Sequence, residues 1–122
     1  MIANGTEWIV EAFGCDPARL GDVHALQTMF EAIVRDLSLN PVANGVWHRF
    51  PGHGGVTGMV PLAESHLTVH TFPEHASLCL NLFCCTPRDA GDWEARLALL
   101  VGARDVRVRM IARDYALAAI ST

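Results

Sequence analysis

The segment Glu64-Ser65-His66-Leu67-Thr68-Val69-His70-Thr71-Phe72-Pro73-Glu74-His75, with Cys84-Cys85 behind it, brings a serine hydroxyl, three imidazoles, two carboxylates and two thiols close together in sequence. Imidazole exchanges protons near neutral pH, and a thiol is a nucleophile or a proton donor. The set is therefore equipped for acyl transfer, proton transfer or both. By residue type alone, Ser65 reads as a turn serine bonded to backbone. His70 lies five residues on, and in a regular strand their side chains point to opposite faces. For the two to cooperate, the backbone at Glu64-Ser65 must leave ideal strand geometry, and an intramolecular acyl shift would exploit that strain. A Cys-His nucleophile pair, Cys85 with His66 or His70, is a second enzymatic reading. His66 and His70 lie about 13 Å apart along an extended chain, too far to share one zinc ion with bonds of about 2 Å.

The elements that must position these groups follow from periodicity. Thr6 to Phe13 predicts a strand with Trp8, Val10 and Ala12 on one face and Glu7, Ile9 and Glu11 on the other. Asp16 and Pro17 open a helix carrying a stripe of Leu20, Val23, Gln27, Phe30, Val34 and Leu37, closed by Asn40-Pro41. Strands are expected at Gly45 to Phe50, Val56 to Ala63, Ser65 to Phe72 and Ser77 to Cys85, with a turn at Pro51-Gly52-His53-Gly54-Gly55. His66, Thr68 and His70 share one strand face, and Cys79, Asn81, Phe83 and Cys85 share a face of the next strand. Leu78, Leu80, Leu82 and Cys84 lie on its other side. A common polar site over a leucine-rich layer is the expectation. Cys84 then reads as a buried apolar thiol, Phe50 as a core aromatic and Glu74 as a solvated loop carboxylate. After a loop at Thr86 to Gly91, Asp92 caps a helix bearing Trp93, Leu97 and Leu100 that ends at Gly102, and a last strand runs from Asp105 to Ile111. The order predicts an α+β fold, a two-layer sandwich of a mainly antiparallel sheet with helices on one face.

Composition narrows the chemistry. The 122 residues make one domain, 1–122, with 51% hydrophobic and 18% charged residues. A net charge of −4 argues against a nucleic-acid partner, and Arg104, Arg107, Arg109 and Arg113 read as a solvated strand face diluted by Asp105 and Asp114. With no membrane-spanning run or basic leader, a cytoplasmic protein that binds no membrane is expected. The four cysteines lack metal-type spacing and read as free thiols. All nine basic residues are arginine. Without lysine, the chain cannot hold pyridoxal phosphate as a Schiff base, so any amine chemistry needs another carbonyl.

The motif from Glu64 to His75, together with Glu11-Ala12-Phe13-Gly14-Cys15-Asp16, His48-Arg49-Phe50, Gly55-Val56-Thr57-Gly58 and the carboxyl-terminal Arg-Val-Arg strand, resembles the prokaryotic S-adenosylmethionine decarboxylase proenzymes. That resemblance implies a two-layer sandwich and self-cleavage between Glu64 and Ser65 into fragments 1–64 and 65–122. It implies that Ser65 becomes a pyruvoyl group, the cofactor that takes the substrate amine as a Schiff base, with no metal and no pyridoxal phosphate. It makes His70 the processing residue, Thr57 a supporting hydroxyl and Cys85 the proton donor. Glu74 becomes a ribose ligand, Phe50 and Phe72 adenine neighbours, and His66 a further substrate contact. Asn81 stands where many relatives have aspartate, Cys84 where many have threonine and Ala76 where glycine is usual.

The function so implied is decarboxylation of S-adenosylmethionine to the aminopropyl donor of spermidine synthesis. Relatives that use ornithine or arginine keep those two substrates open, and an unprocessed binding domain is the alternative outside catalysis. Unpaired strand edges and family sites that draw on two copies make a homodimer the expected assembly.

Overall fold

The computed structural model describes residues 4–86 and 88–116; Pro87, inside the expected Thr86–Gly91 loop, lies outside them. The chain runs β1 (Asn4–Phe13), α1 (Pro17–Leu20), α2 (Val23–Asp36), β2 (Val46–Arg49), β3 (Val56–Pro61), β4 (Ser65–Phe72), a 3-10 turn (Pro73–His75), β5 (Ser77–Cys84), α3 (Trp93–Val101) and β6 (Asp105–Asp114). The strands form one sheet of order β2-β3-β4-β5-β1-β6, every neighbouring pair antiparallel. Alternation decides its faces. Trp8, Val10, Ala12, Leu67, Val69, Leu78, Leu80, Leu82 and Cys84 turn to one side, where they join Leu26, Met29, Phe30 and Ile33 of α2 and Trp93, Leu97 and Val101 of α3 in one core. Each fully buried leucine there contributes about 1.5–3 kcal/mol. The expected α+β sandwich is thus present, and the helices leave the other face of the sheet open.

Two expectations give way. The single helix from Pro17 is two helices, because Asp22 starts a new one: its carboxylate accepts from the His24 and Ala25 amides at 2.9 and 3.3 Å. The end of α1 is tied down instead by Thr71, a buried hydroxyl that donates to the Leu20 carbonyl at 2.7 Å and accepts from the Val56 amide at 2.9 Å. The core face of α2 is also rotated from the expected stripe. Leu26, Met29, Phe30 and Ile33 are buried, while Val23, Gln27 and Val34 lie on its flank. Strand bounds shift less. β6 runs to Asp114 rather than Ile111, since β1 offers it partners as far as Asn4.

Glycine matters where β1 passes the end of β5. A Cβ on Gly5 would run into the Cys84 carbonyl oxygen and lie 3.1 Å from the Cys85 Cα, so only glycine lets β1 approach there.

Candidate active site

The open face displays the polar residues in register. His66 lies opposite Phe83, Thr68 opposite Asn81 and His70 opposite Cys79, while Thr57 of β3 lies opposite His70. The convergence expected of the two strands is therefore real, but the candidate residues form two groups rather than one.

The first group surrounds the Glu64-Ser65 peptide bond, where the β3–β4 connection enters β4. The Cys85 amide, just past the end of β5, donates to the Glu64 carbonyl at 2.9 Å. A backbone N–H on this oxygen is what an oxyanion formed by attack at the Glu64 carbonyl carbon requires. Asn40, from the α2–β2 connection, clamps the same residue from outside. Its amide and its side-chain NH₂ both donate to the Glu64 carboxylate, and its carbonyl accepts from the Ala63 amide at 2.7 Å. Burial works to raise the Glu64 pKa, but the Asn40 hydrogen bonds outweigh it and the carboxyl sits below its ordinary value. The Tyr115 hydroxyl donates to the Cys85 carbonyl at 3.1 Å and so ties β6's end to this corner.

Ser65 Oγ lies 3.3 Å from His66 Nδ1, and His66 Nε2 lies 3.0 Å from Asn81 Oδ1. Asn81 in turn donates to Glu7 at 2.7 Å, and Arg113 donates to the other Glu7 oxygen at 2.6 Å. The Asn81 bond, with Arg113 behind it, holds the Glu7 carboxyl below its ordinary value. Sequence reading singled out neither Glu7 nor Asn40 here, since both contacts join residues distant in the chain. Cys84, paired with Ser65 in the register, is fully buried, and desolvation raises its thiol pKa. That matches its reading as a core cysteine. Cys85 is half-buried.

The second group lies toward the other end of β4. His70 Nδ1 is 3.0 Å from Thr57 Oγ1, and both line a cleft of about 440 Å³ with Phe50, His53, Phe72 and Glu74. Phe50 is 48% exposed, with the His48 ring edge-on at 4.4 Å, and Phe72 is 39% exposed. The core reading of Phe50 fails for a local reason: it follows β2 at the sheet's edge and no helix covers it. Glu74 is exposed on the 3-10 turn. Five strand residues separate Ser65 from His70, about 16 Å, so His70 does not reach the Glu64-Ser65 bond of its own chain. Of the arginines expected to be a solvated face, Arg109 pairs with Glu11 at 2.7 Å and Arg113 with Glu7 on the open side, while Arg104 precedes β6 beside α3.

Comparison with known proteins bears on this layout. Residues 6–114 match the family model described as S-adenosylmethionine decarboxylase. The chain is 35% identical over 98 residues, 76% of each chain, to an S-adenosylmethionine decarboxylase proenzyme of Geobacillus kaustophilus. To the proenzyme of Thermosipho africanus it is 32% identical over 107 residues, covering 88% of this chain and 80% of the relative. The crystal structure of the adenosylmethionine decarboxylase from Aquifex aeolicus shares the fold with a TM-score of 0.80 over 95% of each chain, at 21% identity. A serine at a hydrogen-bonded strand entry, a half-buried cysteine beside it and a sheet with one open face thus occur in a chain that belongs to the S-adenosylmethionine decarboxylase family.

Proposed function

We propose that this protein is a self-processing, pyruvoyl-dependent decarboxylase of S-adenosylmethionine, supplying the aminopropyl donor for spermidine synthesis. The observation that carries the reading is the Glu64-Ser65 bond itself, with its carbonyl held by the Cys85 amide and the Ser65 hydroxyl beside an imidazole. In maturation, Ser65 Oγ attacks the Glu64 carbonyl carbon, the C–N bond breaks, and the proton passes to the freed Ser65 nitrogen, leaving an ester. Loss of the Ser65 Cα proton then expels the Glu64 carboxylate and leaves dehydroalanine. Water replaces its nitrogen, ammonia departs, and fragment 65–122 begins with a pyruvoyl group while fragment 1–64 ends at Glu64.

Ser65 fits as the precursor, since it begins a strand, is half-buried and follows a fixed carbonyl. The pyruvoyl group supplies a ketone that holds the substrate amine and withdraws the electron pair released with carbon dioxide. The Cys85 thiol, one residue beyond the pair Ser65–Cys84, returns a proton to the carbon that lost the carboxylate. Phe50 and Phe72 offer aromatic faces to adenine, and Glu74 offers a carboxylate to ribose hydroxyls. The cytoplasm, whose reducing conditions keep such a thiol free, is the compartment we assign.

The working unit in this reading is a homodimer. His70 sits about 16 Å along β4 from Ser65 of its own chain, with Thr57 beside it, yet both groups occupy the sheet face that no helix covers among the described residues. A second copy stacked there brings its Thr57–His70 cleft over this chain's Ser65 and Cys85, so each site draws on both copies.

Intact mass of the purified protein tests maturation: fragments 1–64 and 65–122, the second with a blocked amino end, are expected, and a chain that stays whole on long incubation would sink the proposal. Carbon dioxide release from S-adenosylmethionine, ornithine and arginine by the processed protein tests the substrate. Release from either amino acid with none from S-adenosylmethionine would keep the mechanism and overturn the assignment.

A further inference from the structure

Resting on the cleavage reading above, we infer that His66 is the general base of the acyl shift at Glu64-Ser65, and that Asn81 and Glu7 are positioning residues that fix its proton on Nε2. Glu7 anchors this network. A carboxylate only accepts hydrogen bonds, so the Asn81 atom 2.7 Å from Glu7 Oε2 is its NH₂, and Arg113 supplies the donor for Glu7 Oε1. The Asn81 amide therefore has one orientation, with its carbonyl oxygen toward His66 Nε2 at 3.0 Å. An amide oxygen only accepts, so Nε2 carries the ring proton. In the neutral ring Nδ1 then keeps its lone pair, 3.3 Å from Ser65 Oγ. Three side chains on three strands, Arg113, Glu7 and Asn81, thus orient the imidazole for the Ser65 hydroxyl, and among the described residues no other imidazole hydrogen-bonds Ser65.

The step balances without any added reagent. Nδ1 takes the Ser65 hydroxyl proton as Oγ attacks the Glu64 carbonyl carbon, the Cys85 amide holds the developing oxyanion, and the same proton is handed to the Ser65 nitrogen as the C–N bond breaks. His66 ends as it began. This divides maturation between two histidines: His66 forms the ester within the chain, and His70 acts later, on the Cα proton. Asparagine at position 81 also has a reason. Aspartate there would face Glu7 directly and would favour the imidazolium, so that the lone pair for Ser65 becomes available only at higher pH. The charged groups that face His66 are Glu7 and, through it, Arg113; Phe83, packed against the ring at 5.9 Å, and Pro61 opposite it carry none.

The test separates the two histidines by where the chain stalls. Hydroxylamine cuts an ester and spares an amide. His66→Ala should stay whole, insensitive to hydroxylamine, with cleavage slowed at least about 100-fold, the range of general-base catalysis; added imidazole should restore part of the rate. His70→Ala should accumulate a chain that hydroxylamine cuts at residue 64. Asn81→Asp should still cleave, but with the rising limb of its pH–rate profile displaced to higher pH by about one unit, the size of shift a neighbouring carboxylate produces. Wild-type protein that never cuts would refute the cleavage reading itself. With wild-type cutting intact, His66→Ala cutting at the wild-type rate, a His66→Ala chain that hydroxylamine cuts at residue 64, or an Asn81→Asp profile that superimposes on wild type would each overturn the inference.

Discussion

The two ends of the open face are built in different ways. At the Glu64-Ser65 end, main-chain groups do most of the holding: Cys85 N–H to the Glu64 carbonyl, Ala63 N–H to the Asn40 carbonyl and Leu62 N–H to the Ser65 carbonyl. Side chains there are chained from Arg113 through Glu7 and Asn81 to His66. At the Phe50–Glu74 end, exposed rings and a carboxylate stand around a cleft in which the Thr57 and His70 side chains meet at 3.0 Å. A bond to be broken must be held in one geometry, since small displacements of reacting atoms cost orders of magnitude in rate. A surface that receives a ligand, or a second copy of the chain, has to stay accessible until it arrives. In the proposed reading the first end is closely hydrogen-bonded because it works on itself, and the second is open because its substrate comes from outside.

The strongest way to break this comparison is to damage the two ends in separate chains. Ser65→Ala and His70→Ala should each fail to mature alone. Produced together, they should form mixed dimers with one whole site, Ser65 from one copy and His70 from the other, so the His70→Ala chain should be cut while the Ser65→Ala chain stays whole. Mass spectrometry of the mixture reads this directly, and absence of any cut His70→Ala chain would refute sites shared between copies.

In the proposed mechanism Cys85 divides its duties between backbone and side chain. Cys85→Ala keeps the amide that holds the Glu64 carbonyl, so cleavage should stay within a few-fold of wild type. Carbon dioxide release should fall about 100-fold for loss of a positioned proton donor. A variant that turns over normally would remove the thiol from the mechanism.

How much of this was legible in the sequence depended on the range of the contact. The alternation of His66, Thr68 and His70 against Cys79, Asn81 and Phe83 predicts their shared face, because side chains on adjacent strands obey a period of two. The end of the last helix at Gly102 was equally readable, since the chain turns there with φ +71°. The break between α1 and α2 was hidden because the apolar pattern runs on past Gly21, and only the Asp22 cap and the distant Thr71 hydroxyl end the first turn. Glu7 was unreadable as a site residue because β1 lies between β5 and β6, against the order of the chain. Asn40 was hidden likewise, as a loop residue whose partner lies on another hairpin.

At the open end, Glu74→Gln should raise KM for S-adenosylmethionine about tenfold, in keeping with the 1.5–3 kcal/mol of a hydrogen bond to a charged group. Cleavage should be unchanged, since the proposed maturation steps give the Glu74 carboxylate no part in the acyl shift or in removal of the Ser65 Cα proton. Steady-state kinetics on fully processed protein measures it, and a slower cleavage with unaltered KM would tie Glu74 to the wrong end of the face.

The smallest effect expected comes from the turn that carries Glu74. Ala76 leaves it at φ +51°, in the left-handed region, with its amide donating to the Pro73 carbonyl at 3.1 Å and its carbonyl accepting from Cys15 at 2.9 Å. Both bonds fix the backbone, so the residue cannot relax out of a conformation that costs an L-residue about 1–2 kcal/mol. Glycine occupies this region without strain but loses more chain entropy on folding, roughly 0.5–1 kcal/mol. Ala76→Gly should therefore gain about 0.5–1 kcal/mol and raise the unfolding temperature by about 3 °C, as calorimetry would show. The rate of cleavage at Glu64-Ser65 should not move, because the strain sits at the opposite end of β4; a change in that rate would mean that the two ends are mechanically coupled.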